Sequence, residues 1–321
     1  MKFIKRLFGC ILVLLIAAVI VICICVNKLM DPYQYDANFN SSGLNQEIIN
    51  SSKPVDNIML FGVDADDNGT RRSDAMMIMS LDYKEHKIKL TSLMRDSYVD
   101  IPGHGMDKLT HAYSYGGPEL AISTINKNFG LDISEYATVD FQQMASIIDA
   151  VGGVEIDVSE AERKEANKYI GEYGRTYGVD VQEIESDGLQ TLDGIQAMTY
   201  GRIRKNGTGD DWGRVERQSV VLQAIFNKLQ NVSPITLYHT METILPNVTS
   251  SVSKGEAISI FRNFILHFGK PTMEHTRIPV DGEWDGKKIH GVYYTVFDVD
   301  DAADEIYDFI YKDIMPVGTT E

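Results

Sequence analysis

Twenty consecutive uncharged residues, Leu7 to Val26, constrain this chain more than any other feature. At about 1.5 Å rise per residue, a helix of that length spans roughly 30 Å, the thickness of a bilayer's hydrocarbon core. Lys2, Lys5 and Arg6 precede the run, so the positive-inside rule puts residues 1–6 in the cytoplasm and everything after Asn27 outside. A cleaved signal peptide would have a shorter apolar region and a small-x-small site, which is absent before Asn27. Residues 7–26 therefore read as a retained single-pass transmembrane anchor.

All three cysteines, Cys10, Cys23 and Cys25, lie inside the run. The exported part has none, which excludes a small disulfide-stapled scaffold. Ile22, rather than a small residue, precedes Cys23 and argues against lipid attachment there. About 290 exported residues suffice for one sizeable hydrophobic core. Asn-x-Ser/Thr sequons at Asn68 and Asn206 fall in loops that carry candidate site residues. Glycans there would block the site, so the expectation is a bacterial surface protein.

Residues 27–55, polar and without periodicity, read as an extracellular stalk, with ordered structure from Asn57 onward. Asn57–Val63 and Asp74–Leu81 read as buried strands, and Lys87–Leu93 as a half-buried one. Helical patterns at Pro118–Asn128 and Phe141–Ala150 flank a short strand at Tyr136–Val139, and residues 152–158 read as a turn and strand. Further helices are predicted at Asp193–Tyr200, Arg214–Leu229, Ile235–Leu245, Lys254–Phe268 and Val299–Ile314, with a strand near His275–Val280. This interleaving predicts an α/β fold: a single domain over residues 56–321 with a central sheet covered on both faces.

Chemistry concentrates in three places. Five of the thirty Lys and Arg residues fall between Arg202 and Arg217, around a Gly-rich loop, in a chain of formal charge −16. Such crowding suggests a bound polyanion, and guanidinium forks suit phosphate oxygens. If Arg202-Ile-Arg204 is extended, both arginines share a side while Ile203 buries; Gly201 is a candidate left-handed helix cap. Asp210 or Asp211 would cap the following helix, on which Arg214 and Gln218 share a face and Arg217 lies on an adjacent edge.

Asp64 ends the first strand and Asp74 begins the second, so their carboxylates either converge on a Mg²⁺ or cap a polar turn. Arg95-Asp96 ends the third strand, as an anion clamp or as a plain surface pair. Nearby Asp107, Lys108 and His111 cluster, with His111 read as a structural hydrogen-bonding residue. No nucleophile elbow, Walker-type loop, cysteine nucleophile or His-rich metal motif is present. What is left is electrostatic chemistry of the kind phosphoryl transfer needs.

In order along the chain, Asn57-Ile-Met-Leu-Phe-Gly-Val-Asp64, Arg72-Ser-Asp-Ala-Met76, Arg95-Asp96, Asp107-Lys-Leu-Thr-His-Ala-Tyr113 and Gly116-Gly-Pro-Glu-Leu120 resemble segments of the LytR-CpsA-Psr family of bacterial cell-envelope proteins. Val139-Asp-Phe141, residues 147–158, Leu192–Met198 and Tyr200–Gln218 continue the match to about Leu229. The resemblance implies a three-layer α/β/α domain with a central mixed sheet and a long apolar pocket for a polyprenyl chain. It implies transfer of an anionic glycopolymer, such as teichoic acid or capsule, from an undecaprenyl-pyrophosphate carrier to peptidoglycan through a phosphodiester. Carried over by motif position, Asp64 and Asp74 would hold Mg²⁺ (or Mn²⁺). Arg72, Arg95, Arg202, Arg204, Arg214 and Gln218 would contact the pyrophosphate, with Arg217 beside them and Asp96 or Asp211 as candidate bases. Apolar runs such as Met76–Met79 and Ile147–Val151 are candidate pocket linings, and residues 159–190 a candidate flap.

Other classes fit less well. A transcriptional regulator would need DNA contacts from six cytoplasmic residues in a chain of pI ≈ 4.8, so no nucleic-acid partner is expected. A non-catalytic binder of lipid-linked wall polymer leaves the paired aspartates unexplained. A polyprenyl-pyrophosphate phosphatase would use the same residues with water as acceptor.

Overall fold

Two long strands carry the apolar runs of the sequence and form the middle of the sheet. They are β2 (Val55–Ala65) and β3 (Arg71–Asp82), an antiparallel pair that places Phe61 opposite Met76 and Met59 opposite Ile78. The computed structural model describes residues 28, 31–51, 55–65, 71–204, 210–267 and 271–318. Around the central pair lie β1 (Gln34–Tyr35), β4 (Lys87–Leu93), β7 (Glu135–Asp140), β10 (Thr249–Ser250) and β11 (Thr272–Ile278). The order is β1-β10-β7-β2-β3-β4-β11, a mixed sheet in which β7 joins β2 and β11 joins β4 in parallel.

Strand alternation divides the apolar residues between two faces. Met59, Phe61, Met76 and Ile78 pack against Ile122, Ile125 and Phe129 of helix α2 (Leu109–Phe129), and against Ile306, Phe309 and Ile310 of α9 (Val299–Lys312). Leu60, Gly62, Ala75, Met77 and Ala137 face the opposite way and border a cavity. Beyond it stands a second apolar cluster built by α3 (Phe141–Ala150), α4 (Glu160–Tyr177), α5 (Gly194–Tyr200), α6 (Asp210–Gln230) and the β8–β9 hairpin (Val154–Val158 and Gly188–Leu192). A helix-covered sheet was expected; a face only partly filled was legible only through the family resemblance.

Several boundaries differ from the sequence reading. Part of the expected stalk packs onto the domain. β1 edges the sheet, Asn45 caps α1 (Gln46–Asn50), Ile48 is buried, and the Phe39 ring meets Tyr136 at 4.9 Å. A few isolated anchors in a polar segment leave no periodic signature. β3 begins at Arg71 rather than at Asp74. Helix α2 starts at Leu109: Gly116 and Gly117 take non-helical angles, and Pro118 restarts the helix after them. The 159–190 segment is no flap over the site but helix α4 plus hairpin strand β9, anchored by buried Ala166, Ile170 and Ile184. Two further hairpins, β5–β6 (Tyr98–Ile101, Gly105–Lys108) and β12–β13 (Trp284–Ile289, Val292–Phe297), were not anticipated. The segment read as an anchor lies outside the described residues, among which no helix is long and apolar enough to cross a membrane.

At the sheet's far end a buried ion cluster ties α9 to β4. The Lys89 ammonium donates to Asp82 at 2.8 Å and to the Ile310 carbonyl at 3.1 Å, and lies 3.1 Å from Asp313. Removing one partner of a buried pair strands the other charge. Lys89→Met should therefore lower unfolding free energy by about 3–5 kcal/mol in urea titrations; a loss below about 1 kcal/mol would mean the cluster is solvated. On β11, burial with help from Arg277 pushes His275 down to about 4, and its ring accepts or donates one bond to Ser92 at 3.0 Å. The unfolded chain then binds more protons between about pH 4 and 6.5. Stability linked to His275 is complete above pH 6.5 and is lost as pH falls toward 4. His275→Gln should flatten the pH dependence of the unfolding midpoint across that window, and an unchanged slope would refute the assignment.

Candidate functional site

The placement of Asp74 depends on a β-bulge. In the β2–β3 ladder Gly62 pairs with Ala75 and Val63 with Ser73, so Asp74 is the extra residue and has no cross-strand partner. Bulges re-aim side chains in this way. Ser73 Oγ closes the turn on the Ala75 carbonyl at 2.7 Å. Gly62 stands opposite Ala75, where a Cβ would come within 3.0 Å of the Ala75 methyl, so glycine relieves crowding beside the bulge. Asp74 consequently faces the cavity mouth together with Asp64, which stands two residues beyond Gly62, next to the last residue of β2.

Guanidinium groups meet both carboxylates. Arg95, just past β4, bonds Asp74 at 2.5 Å, and Arg204 approaches the other Asp74 oxygen at 3.9 Å. Arg202 bonds Asp64 at 3.2 Å and lies over the Phe141 ring at 5.2 Å. Burial pushes the Asp74 carboxyl up, but Arg95, Arg214 and Arg204 outweigh it and hold the group below the usual carboxylate range. Asp74 is thus an anion at any physiological pH.

The loop that presents Arg202 and Arg204 follows α5, whose start is fixed by a capping box between Asp193 and Gln196. Gly201 is right-handed, not the expected left-handed cap, because the chain tightens instead: Arg202 N–H donates to Thr199 and Ile203 N–H to Tyr200. Ile203 is fully buried while Arg202 and Arg204 both line the mouth, as an extended reading anticipated. On α6, Arg214 and Gln218 line the same mouth from one face.

Arg217 departs from its expected role. It is buried, donating to Glu162 at 2.8 Å and to the Ile203 carbonyl at 3.2 Å, and so holds the arginine loop rather than lining the cavity. One helical position sends it to the α4 side of α6. Arg72 is exposed, opposite Asp64 in the ladder, and does not line the cavity. Asp96 is buried against Lys108 at 2.8 Å, which removes it as a candidate base. Asp211 falls in the first turn of α6, where its side chain lies outside the described residues. His111 is structural as expected: it shares Asp107 with Tyr115 and Tyr294.

Behind this charged mouth the cavity is apolar and about 300 Å³ in volume. Of the two candidate runs only Met77 and Ile147 line it; strand alternation and helical periodicity send Met76, Ile78, Ile148 and Val151 into the cores. The sequence reading missed Phe141, Met144, Val221, Leu222 and Ile225. The last three continue the Gln218 face at helical spacing, a signal present in the sequence. Among the described residues no cluster of three or more His, Cys, Asp or Glu is arranged to hold a metal. The donor set that fits one is Asp64 with Asp74: two hard oxygen donors at an open mouth, suited to Mg²⁺ that keeps waters and phosphate ligands.

If Arg217 holds the loop through Glu162, the two side chains should be energetically coupled. A double-mutant cycle of Arg217→Ala and Glu162→Ala on unfolding free energy should give about 1–3 kcal/mol of coupling; additive effects would break that link.

Comparison with known proteins agrees with this geometry. Residues 27–307 match the LytR_cpsA_psr family. A protein of Oceanobacillus iheyensis named polyisoprenyl-teichoic acid–peptidoglycan teichoic acid transferase TagU is 32% identical over 250 residues, 76% of this chain and 72% of that one. Its Enterococcus faecalis namesake is 30% identical over 278 residues, covering 84% and 85%. Among solved structures, TagT bound to LIIa-WTA superposes with a TM-score of 0.67 at 27% identity, over 87% of this chain and 98% of that one. YwtF (TagT) with bound octaprenyl pyrophosphate lipid gives 0.63 at 25% identity over the same shares. On this extent of match, the chain belongs to the LytR-CpsA-Psr family.

Proposed function

We propose that this protein is a Mg²⁺-dependent phosphotransferase that moves a teichoic-acid-type glycopolymer from a polyprenyl-pyrophosphate carrier to peptidoglycan. One observation carries the reading: an apolar cavity opens at a mouth bearing Arg202, Arg204 and Arg214 beside ionised Asp74, which Arg95 bonds. A lipid pyrophosphate has that shape of polarity, an apolar tail joined to concentrated negative charge. Burying such charge uncompensated would cost many kcal/mol, and the arginines offset it. The names of the TagU relatives and the lipid in the YwtF structure support the same substrate class.

In this reading the tail enters the cavity past Met77, Ile147, Val221 and Ile225, and the arginines with Gln218 take the phosphates. Arg72 reaches them from outside the mouth. Asp64 and Asp74 hold Mg²⁺ (or Mn²⁺), which when bound supplies neutralisation of charge on the non-bridging oxygens. Arg202 and Arg95 exchange their carboxylate partners for phosphate oxygens. The acceptor hydroxyl attacks the sugar-proximal phosphorus, its proton passes to Asp211, and the bond to the lipid phosphate breaks. Leu7–Val26 anchors the domain to the outer face of the cell membrane, within reach of both substrates.

A transfer assay with polyprenyl-pyrophosphate-linked saccharide and peptidoglycan oligomers tests this. Arg202→Ala or Arg204→Ala should lower kcat/KM about 10²-fold or more, and near-wild-type turnover in both would refute the site. EDTA and Asp74→Ala should each abolish transfer, with Mg²⁺ restoring only the chelated wild type. Lipid phosphate released without sugar transfer would instead identify a phosphatase.

A further inference from the structure

The two tryptophans of the chain stack on each other. Trp212 comes from the first turn of α6 and Trp284 from the start of β12, with ring centroids 4.3 Å apart and planes 28° apart. The Arg277 guanidinium, from β11, lies over the Trp212 ring at 4.2 Å. Asp285 to Lys288 of β12 are exposed, and Trp284 is where the strand meets α6. The other strand of this hairpin is tied elsewhere. Thr295 of β13 donates its N–H to the Asp96 carbonyl at 2.9 Å and bridges Ser97. Tyr294 packs on Tyr98 at 4.7 Å and bonds Asp107 at 3.3 Å.

Burial of apolar rings accounts for the stack itself. It does not account for where the two attachments fall. Trp212 is two residues before Arg214, and Asp96 is one residue after Arg95. Arg95 bonds Asp74, Arg214 lines the cavity, and both act on the Asp74 charge. The contacts therefore close a circuit. It runs from Asp74 through Arg95 and Asp96 to Thr295, across the hairpin to Trp284, and through Trp212 to Arg214.

We infer that Trp284 and Trp212 are positioning residues: the β12–β13 hairpin is a strap that fixes the first turn of α6, and with it Arg214, relative to Arg95 for binding a pyrophosphate headgroup. The inference rests on the pyrophosphate reading above and adds what sets the spacing of two of its arginines. The first N–H groups of a helix have no intrahelical acceptors, so a first turn frays unless something outside the helix holds it. Trp284 and Arg277 supply that hold through stacking and cation–π contact on Trp212. Arg214 follows directly on this turn and is fully buried, so a loosened turn misplaces a charge that solvent cannot screen. An arginine pair set in advance spares the ligand the cost of ordering it.

The test titrates the full-length protein in detergent with octaprenyl pyrophosphate and, separately, with inorganic pyrophosphate, which keeps the headgroup and drops the tail. Trp284→Ala should weaken both about fivefold, because the strap acts on the arginines and not on the apolar cavity. Trp284→Phe keeps a ring face on Trp212 and should stay within twofold of wild type. In an Arg214→Ala background, Trp284→Ala should cost less than twofold more, an outcome that a general loss of stability would not give. Far-ultraviolet circular dichroism reads the stack directly, since the indole–indole coupling must disappear in Trp284→Ala. If a thermal melt shows that Trp284→Ala does not fold, Trp284→Leu, which keeps apolar volume without a ring, takes its place with the same expectation. Unchanged affinity in the ringless variant overturns the strap, as does a full loss that persists without Arg214. Loss of octaprenyl pyrophosphate affinity alone also overturns it, since the residue would then serve the tail. A wild type that binds only inorganic pyrophosphate sinks the lipid reading and leaves the strap to be decided on that probe; one that binds neither overturns both.

Discussion

Charge held at the edge of an apolar cavity is the constraint on which the rest of this domain depends. Burial pushes the Asp74 carboxyl up, and three arginines from three separate segments outweigh it and hold the group below the usual carboxylate range. Arg95 comes from the end of β4, Arg204 from the loop after α5, and Arg214 from inside α6. Each of these charges offsets another at the mouth. The elements that carry them must therefore converge, and much of the packing around the mouth serves that convergence.

The two faces of the sheet divide the labour. One is filled by α2 and α9 in the ordinary manner of an α/β core, and the buried Lys89 cluster secures α9 at the far end. The other is held open. Helices α3, α5 and α6 rest on a second apolar cluster with α4 and the β8–β9 hairpin, and this lifts them off Leu60, Met77 and Ala137. A well-filled first face supplies stability that a cavity on the second would otherwise cost. The Arg217–Glu162 pair belongs to the same arrangement, since it ties α6 to α4 and, through the Ile203 carbonyl, fixes the loop that aims Arg202 and Arg204.

Helix α4 accordingly has two sides with different duties. Its inner side, with Ala166 and Ile170, completes the second core, and Glu162 at its first turn anchors the arginine loop. Its C-terminal tyrosines continue the aromatic contacts that begin under Arg202. A single helix thus links the stability of the mouth to the surface beside it.

The sequence by itself determined the chemistry and the class of fold. Buried strands announce themselves as apolar runs, and the crowding of Arg202, Arg204, Arg214 and Gln218 marks a polyanion site, while Asp64, Asp74 and Arg95 take their roles from the family resemblance. Local signals also reach the cavity wall, where Val221 and Ile225 follow Gln218 at helical spacing. What only the tertiary structure decided were matters of a single residue's direction. A bulge between Gly62 and Val63 turns Asp74 into the mouth, and one step around α6 takes Arg217 away from it. Lys108, twelve residues downstream, captures Asp96, and scattered anchors fold the polar segment before β2 onto the domain. Periodicity reports which face a residue shares with its chain neighbours. It holds no record of which distant segment that face will meet, and the charges at this site acquire their roles only there.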